Sequence, residues 1–170
     1  MFLVSGPALV IAACKSGVIG AFPTANCRSL AELDGWLGEI SSALGPSEAP
    51  FAANLIVHHS NSRLEDDLRL VCQHRPELVI ASVGSPAPII DAVHDYGGVV
   101  YADIASMRHA RKAVEVGADG LILLTAGAGG QTGRANPFAF VRGVREFYDG
   151  PDRKSTRLNS SHSSVSRMPS

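Results

Sequence analysis

A glycine-rich run at Thr125–Gly133 is the strongest chemical signal in the sequence. It follows the apolar stretch Gly120–Leu124 and places four glycines within seven residues, at Gly127, Gly129, Gly130 and Gly133. Glycine removes the side chains that would keep a flat ligand away from the backbone. Backbone N–H groups in such a bend can also bind an anion. A ligand-binding bend at the end of a strand is one interpretation, and a flexible loop before the next helix is the other.

Three titratable side chains follow other apolar stretches. His58 and His59 come at the end of Ala52–Val57, and Asp103 comes directly after Val99–Ala102. Neighbours in an extended segment point in opposite directions, so the two histidines are not expected to share one ligand. His58 is a candidate base, and Asp103 could either face a site or cap a loop. The charged side chains that fall in helical patterns are interpreted as surface groups, among them His74, His94, His109, Lys112 and Glu115.

The cysteines indicate neither a disulfide framework nor a zinc site. Cys14, Cys27 and Cys72 are odd in number and widely spaced, and the sequence contains no CxxC pair. We therefore expect reduced thiols. No spacing of His, Asp or Glu suggests a metal site either.

The composition excludes several classes of protein. The 170 residues are 45% hydrophobic and 18% charged, against about 25% charged in an average domain, which favours buried strands over disorder. A net charge of −1 gives no basic field for nucleic acid or an anionic membrane. No apolar run reaches the roughly 18–20 residues that a membrane span needs. The start at Met1 lacks the basic region of a signal peptide, so a cytoplasmic location is expected.

Short apolar runs alternate with stretches of helical periodicity along residues 1–150. The strand candidates are Val18–Phe22, Ala52–Val57, Leu78–Ser82, Val99–Ala102 and Gly120–Leu124. The even spacing of the last three predicts repeated βα units and hence an α/β fold of the parallel (β/α)8 TIM-barrel type. Because a complete barrel needs roughly 250 residues, we expect an incomplete one with about strands 1–6 and their helices. A doubly wound open sheet is the main alternative, although no GxGxxG motif follows the first strand.

Helix start signals precede several of the helical stretches. Ser29 with Glu32, and Ser62 with Glu65, have the spacing of capping boxes. Single N-cap residues are predicted ahead of two later helices, at Ser106 and Asn136.

Four segments of the chain resemble motifs of a single flavoenzyme family. Ala128–Gly133 is similar to an Ala-Gly-Gly-His-x-Gly loop, and Asn54-Leu55 to an Asn-Leu strand. Met1–Pro7 resembles an opening in which the end of the first strand touches the flavin, and Gly17–Pro23 resembles the second strand. The family is that of the nitronate monooxygenases (2-nitropropane dioxygenase-like proteins). The resemblance covers essentially residues 1–150 and depends on the combination, because each motif alone is modest.

The resemblance implies an FMN-dependent oxidoreductase with the cofactor at the carboxyl ends of the strands. The positions that match the family's flavin contacts are Met1, Asn54, Thr125, Gly129 and Gly130. Thr125 stands where the family often has Gln. Gln131 stands where the family has its catalytic His, and this departure affects the chemistry most.

Gln131 changes the expected substrate. A histidine can take a proton from the carbon of a neutral nitroalkane near neutral pH. An amide can only donate a hydrogen bond to a nitro or nitronate oxygen. Because an alkyl nitronate is already deprotonated, the resemblance implies oxidation of alkyl nitronates by O2 to a carbonyl compound and nitrite. Neutral nitroalkanes are not expected as substrates.

Three other interpretations stay open. Another FMN barrel oxidoreductase, enoyl-reductase-like, would share the fold. An IMP-dehydrogenase-like enzyme would need a nucleophilic cysteine, for which the three widely spaced cysteines are poor candidates. From a different class, the chain would be a non-catalytic remnant of a flavin-binding fold, in which Gln131 marks lost chemistry.

Residues 151–170 differ from the rest of the chain. They are rich in Ser and Arg without a helical or strand period, so we expect a barrel domain over residues 1–150 and a disordered tail over residues 151–170. Asp152–His162 resembles the translation of a short-read sequencing adapter, which suggests that the tail is not native sequence. With the last two strands of a barrel missing, we expect a fragment that binds FMN weakly or not at all.

Overall fold

Six strands and six α-helices alternate along the chain in a computed structural model, which describes residues 2–150 and 152–155. The strands are β1 Gly20–Pro23, β2 Phe51–Ile56, β3 Leu78–Ser82, β4 Val99–Ile104, β5 Gly120–Leu124 and β6 Asp152–Ser155. The helices are α1 Pro7–Lys15, α2 Leu30–Ala43, α3 Leu64–His74, α4 Ala87–His94, α5 Met107–Glu115 and α6 Pro137–Arg145, and a 3-10 turn spans Thr24–Asn26. The strands predicted from the apolar runs agree with β1 to β5 to within two residues at either end.

The strands form one sheet in the order β1-β2-β3-β4-β5-β6, each parallel to the next. Each connection therefore joins adjacent strands, and from β1 onward it passes through an α-helix. A doubly wound sheet would instead reverse its strand order at a switch point. The prediction of a parallel α/β fold of the (β/α)8-barrel type is confirmed, and the open-sheet alternative is wrong.

The two faces of the strands carry different residues. Fully buried side chains such as Phe22 and Leu121 pack against the helices. The opposite face carries a row of register partners across five strands, which are half-buried except for the buried Gly120. They are Pro23, Asn54, Ile80, Tyr101 and Gly120. The Tyr101 ring lies over Gly120, where an added Cβ would collide with it. In a barrel this second face points to the interior.

The hydrophobic core consists of two clusters beneath the helices. The larger cluster joins β1–β4 with α1–α4 and contains the fully buried Phe22 and Leu37. The Phe22 ring lies 5.7 Å from the Trp36 ring at 59°, a tilted arrangement that aromatic pairs favour. The smaller cluster joins β4 and β5 with α5 and α6 and contains Leu121 and Phe140. The helices thus anchor the strand face that lies away from the candidate site.

Three helices begin at the side-chain caps predicted from the sequence. The Ser29 Oγ accepts a hydrogen bond from the Glu32 N–H at 3.1 Å, and the Ser106 Oγ accepts one from the His109 N–H at 3.2 Å. The Asn136 side chain accepts from two N–H groups in the first turn of α6. Each cap satisfies a backbone donor that the helix leaves without an internal partner.

The capping box predicted at Ser62 is wrong. α3 begins at Leu64, after Arg63, without a side-chain cap. Asn61 determines the local structure instead: its Oδ1 accepts from the Arg63 N–H at 3.1 Å, and its Nδ2 donates to the Ile56 carbonyl at 2.8 Å. This turn ties the loop to the end of β2, so the helix starts after Ser62.

Both ends of the described chain differ from the sequence-based expectation. Residues 2–4 form turns and not the end of a strand. Asp152–Ser155, expected to lack regular structure, pairs with Leu121–Leu124 as β6, because backbone pairing requires no particular side chains. Met1, Pro151 and residues 156–170, which include the rest of the expected tail, lie outside the described residues.

We expect Phe22→Ala to lower the free energy of unfolding by about 3–5 kcal/mol, because it empties a fully packed position. The matched control is Phe138→Ala, since Phe138 is 78% exposed and a surface change of this kind stays within about 0.5 kcal/mol. Urea unfolding followed by circular dichroism measures both. Equal losses in the two variants would contradict the placement of Phe22 in the core.

Candidate functional site

The glycine-rich bend is fixed at its base and open at its tip. The Thr132 Oγ1 donates to the Thr125 carbonyl at 2.8 Å. An added Cβ at Gly133 would collide with the Leu124 carbonyl oxygen, so only glycine allows the bend to return this close to β5. At the tip, a Cβ added at Gly129 or Gly130 would meet nothing within 4 Å. The bend therefore presents uncovered backbone beside the carboxyl end of β5.

A cavity of about 540 Å³ lies at the carboxyl ends of β3, β4 and β5, within the size range of small-molecule sites. Its polar lining includes Asp103 at the end of β4, His109 and Lys112 on α5, and Gln131 and Thr132 in the bend. The remaining walls are mostly apolar. Asp103 and Gln131, which were considered separately in the sequence, thus line the same cavity.

His109 and Lys112 line the cavity, a location that the helical periodicity of the sequence did not predict. Both side chains are exposed, as predicted for surface groups. They nevertheless lie on the turn of α5 that borders the cavity, so two basic residues and Asp103 are part of the same lining. The one-turn spacing of the two residues could have indicated a shared face, but not what that face borders.

Burial raises the pKa of the Asp103 carboxyl from 3.8 to about 6. Removal from water penalises the charged form, and the register partner of Asp103 on β5 is the apolar Ile122. A carboxylate with a pKa near 6 is still mostly ionised at neutral pH and accepts a proton more readily than an exposed one. This shift could not be predicted from the sequence, since it depends on what surrounds the end of β4.

Val83 introduces backbone strain at the wall of the same cavity. It has a φ of +62°, a region that a β-branched residue rarely adopts. The neighbouring Gly84 packs against Val57, the residue that follows β2. A Cβ added at Gly84 would lie 3.2 Å from the Val57 carbonyl oxygen. Strain of this kind costs on the order of 1–3 kcal/mol and is concentrated at functional sites.

Asn54 lies on the second face of β2, apart from the cavity. It is half-buried, and its Oδ1 accepts a hydrogen bond from the Ser82 Oγ at 2.7 Å. Ser82 is itself buried, so this contact fixes the orientation of the Asn54 amide. Asn54 is not among the residues that line the cavity.

The other predicted site residues are distributed more widely. Thr125 is fully buried, and Met1 lies outside the described residues. The N-terminal segment that follows Met1 is held by Asn26, whose Oδ1 accepts from the Leu3 N–H at 2.8 Å and whose Nδ2 donates to the Ser5 carbonyl at 2.9 Å.

His58 lies beside the neighbouring histidine and not at the cavity. Its Nδ1 is 2.8 Å from the Ser60 Oγ, and its ring centroid lies 4.0 Å from that of His59. The expectation that the two side chains point in opposite directions is wrong, because β2 ends at Ile56 and strand alternation does not extend into the loop.

The cysteines are poor nucleophiles. Burial is the main cause that raises the pKa of all three thiols, and it raises that of Cys27 to about 12. Thiolate is therefore scarce at neutral pH, which weighs against the IMP-dehydrogenase-like interpretation. The described residues contain no group of three or more His, Cys, Asp or Glu that could hold a metal ion. Within the same ranges, no helix has the length and apolar character needed to cross a membrane.

Comparison with known proteins identifies the fold. No family model matches the chain, and no curated protein matches it in sequence. FabK from Thermotoga maritima matches with a TM-score of 0.77 at 22% identity, over 88% of this chain and 46% of FabK. Nitroalkane oxidase from Streptomyces ansochromogenes matches with a TM-score of 0.77 at 18% identity, over 89% of this chain and 55% of the oxidase.

A third solved structure extends the comparison. The enoyl reductase domain of MlnA from the macrolactin biosynthesis cluster of Bacillus amyloliquefaciens matches with a TM-score of 0.64 at 17% identity, over 91% of this chain and 52% of the domain. The chain thus spans about half the length of these three structures. Likeness at such identities establishes the fold, and function depends on the site.

We expect Gly133→Ala to lower the free energy of unfolding by about 1–3 kcal/mol, because the new methyl group forces the bend away from β5. Gly129→Ala is the matched control in the same bend, with an expected change within about 0.5 kcal/mol. Urea unfolding of both variants tests this, and an unchanged Gly133→Ala variant would refute the close approach.

We expect Asp103→Asn to stabilise the protein at pH 7 by about 1–3 kcal/mol, since one pKa unit corresponds to about 1.4 kcal/mol. The folded carboxyl keeps its proton to a higher pH than the unfolded one, so its contribution to stability is full below pH 3.8 and is lost as the pH rises to about 6. The difference in melting temperature between variant and parent should therefore grow over this window. Asp91→Asn, on the exposed side of α4, is the control that should show no such growth.

Proposed function

We propose that this chain forms the cofactor-facing part of an FMN-dependent oxidoreductase that oxidises alkyl nitronates with O2 to a carbonyl compound and nitrite. The observation that carries the proposal is the cavity at the carboxyl ends of β3–β5, which Gln131 and Asp103 both line beside the open glycine bend. Barrel enzymes place their active sites at this end of the strands.

The residues at this edge fit a flat cofactor. The tip of the bend leaves open space at Gly129 and Gly130, where a side chain would obstruct an aromatic ring system. Asn54 offers an amide held in place by Ser82. With Met1 and Thr125, which the resemblance adds, these residues would hold FMN. The flavin supplies the redox chemistry when bound, and the protein supplies position and hydrogen bonds.

The cavity also suits a small anion with an apolar tail. The Gln131 amide can donate a hydrogen bond to a nitronate oxygen. Lys112 and His109 bring basic groups to the same cavity, which favours a negatively charged substrate. The apolar walls match the alkyl part of a nitronate.

A nitroalkane oxidase shares the fold, so the fold is compatible with this reaction. The fold match to an enoyl reductase domain makes an enoyl-reductase-like enzyme the second candidate. The two differ in what they consume: nitronate oxidation uses O2 and releases nitrite, whereas enoyl reduction consumes a reduced nicotinamide. A non-catalytic remnant would do neither.

We expect the protein encoded by the complete gene, which includes residues 1–150, to bind FMN. In air it should release nitrite from a preformed alkyl nitronate. Gly129→Ala should weaken FMN binding about tenfold, or about 1.4 kcal/mol, because the methyl group fills the space proposed for the ring. Flavin fluorescence titration measures the affinity and a colorimetric nitrite assay the turnover.

Gly35→Ala is the matched control for this test, since a Cβ added there on α2 also meets nothing within 4 Å but lies away from the bend. It should leave FMN affinity unchanged. Nicotinamide oxidation without nitrite would favour the enoyl-reductase-like candidate, and binding without either activity would favour the remnant.

A further inference from the structure

The cavity contains one acid among its lining residues. Asp103, the last residue but one of β4, lies on the second face of the sheet, and Gln131 and Thr132 of the bend line the same space. Its register partner Ile122 is apolar. The carboxylate therefore faces a largely apolar cavity that also holds an amide donor.

We propose that Asp103 is the general base that removes the α-proton of a neutral nitroalkane bound in this cavity. The proposal takes its substrate class from the proposed function and extends it from nitronates to their neutral carbon acids. It differs from the expectation based on Gln131 alone, under which the neutral form would not react.

The step balances without a further reagent. The Cα–H bond of the nitroalkane breaks, and a new O–H bond forms on the Asp103 carboxylate. The electron pair of the broken bond moves onto the nitro group, which becomes the nitronate. Gln131 donates a hydrogen bond where this negative charge develops, and Lys112 adds a positive charge to the same cavity.

The charged surroundings of Asp103 are consistent with a base that works near neutral pH. α5 contributes the basic groups His109 and Lys112, whereas the lining residues from β5, the bend and the loop after β3 carry no titratable group. On β4 itself, Tyr101 lies two residues away on the same face. Burial raises the pKa of Asp103 to about 6, and a base is most effective when its pKa lies close to the working pH.

Backbone strain at Val83 occurs at the same cavity. This β-branched residue has a φ of +62° and is one of the lining residues. Strain of this kind is concentrated at functional sites, which is consistent with the proposal.

The test follows proton exchange, which needs neither flavin nor O2. The 170-residue chain is incubated anaerobically with 2-nitropropane in D2O, and the loss of the Cα–H signal is followed by proton NMR. After subtraction of the buffer rate, the catalysed rate should rise with pH and level off above an apparent pKa near 6, the value of Asp103. Asp103→Asn should reduce it by about 100-fold or more, the usual contribution of a general base.

Two further variants make the result decisive. Asp91→Asn removes an exposed acid from α4 and should keep the full rate and pH profile. Asp103→Glu keeps a carboxylate and should retain part of the rate, whereas a merely structural role would not distinguish it from Asp103→Asn. A melting temperature of Asp103→Asn at pH 7 that is at or above that of the parent would show that a lost rate is not a loss of folding.

The proposal is overturned if Asp103→Asn exchanges as fast as the parent chain, or if the parent does not exceed the buffer rate. Exchange that depends on Asp103 without nitrite release from the complete gene product would uphold the base and reject the proposed oxidation. Nitrite release from nitronates with no exchange would do the reverse.

Discussion

The register of the parallel sheet determines where each candidate residue lies. Every strand is paired with the next over four or five residues, and alternate residues go to opposite faces. A slip of one residue in β4 would move Asp103 into the helix-facing layer and bring the buried Ile104 to the second face of the sheet. Because one face is packed with apolar residues, such a slip is strongly disfavoured. The apolar core beneath the helices thereby determines which side chains lie on the opposite face of the sheet.

Helices and strands of this fold could be predicted from the sequence where interactions between residues close in the chain determine them. The apolar runs at Leu78–Ser82 and Gly120–Leu124 gave their strands without error. Ser29 and Ser106 gave helix starts because a cap acts over three residues. The helix start predicted at Ser62 was wrong because Asn61 forms a hydrogen bond to the end of β2. The spacing of residues near Ser62 does not indicate that contact.

The site itself was predictable only in part, for the same reason. The glycines of Thr125–Gly133 marked the bend, and the resemblance marked Gln131. Asp103 and Gln131 line one cavity because the carboxyl ends of parallel strands lie at the same edge of the sheet, although the two residues are about 20–30 positions apart in the sequence. The left-handed backbone of Val83 and the burial of Asp103 depend on packing that the sequence does not state. Both features reduce stability, and both lie at the same cavity, as expected where function opposes stability.

The pairing of β6 with β5 indicates that other polypeptide segments could add to this edge of the sheet. The four residues Asp152, Arg153, Lys154 and Ser155 have no apolar alternation, yet their backbone adds to β5 in regular register. The outer side of β5 thus pairs with a segment that contains no apolar residue. An edge with so little selectivity is a template for strand addition, which invites association between copies. It also offers a means of complementation, because a peptide supplied in trans with better apolar spacing would compete with Asp152–Ser155 for the same place.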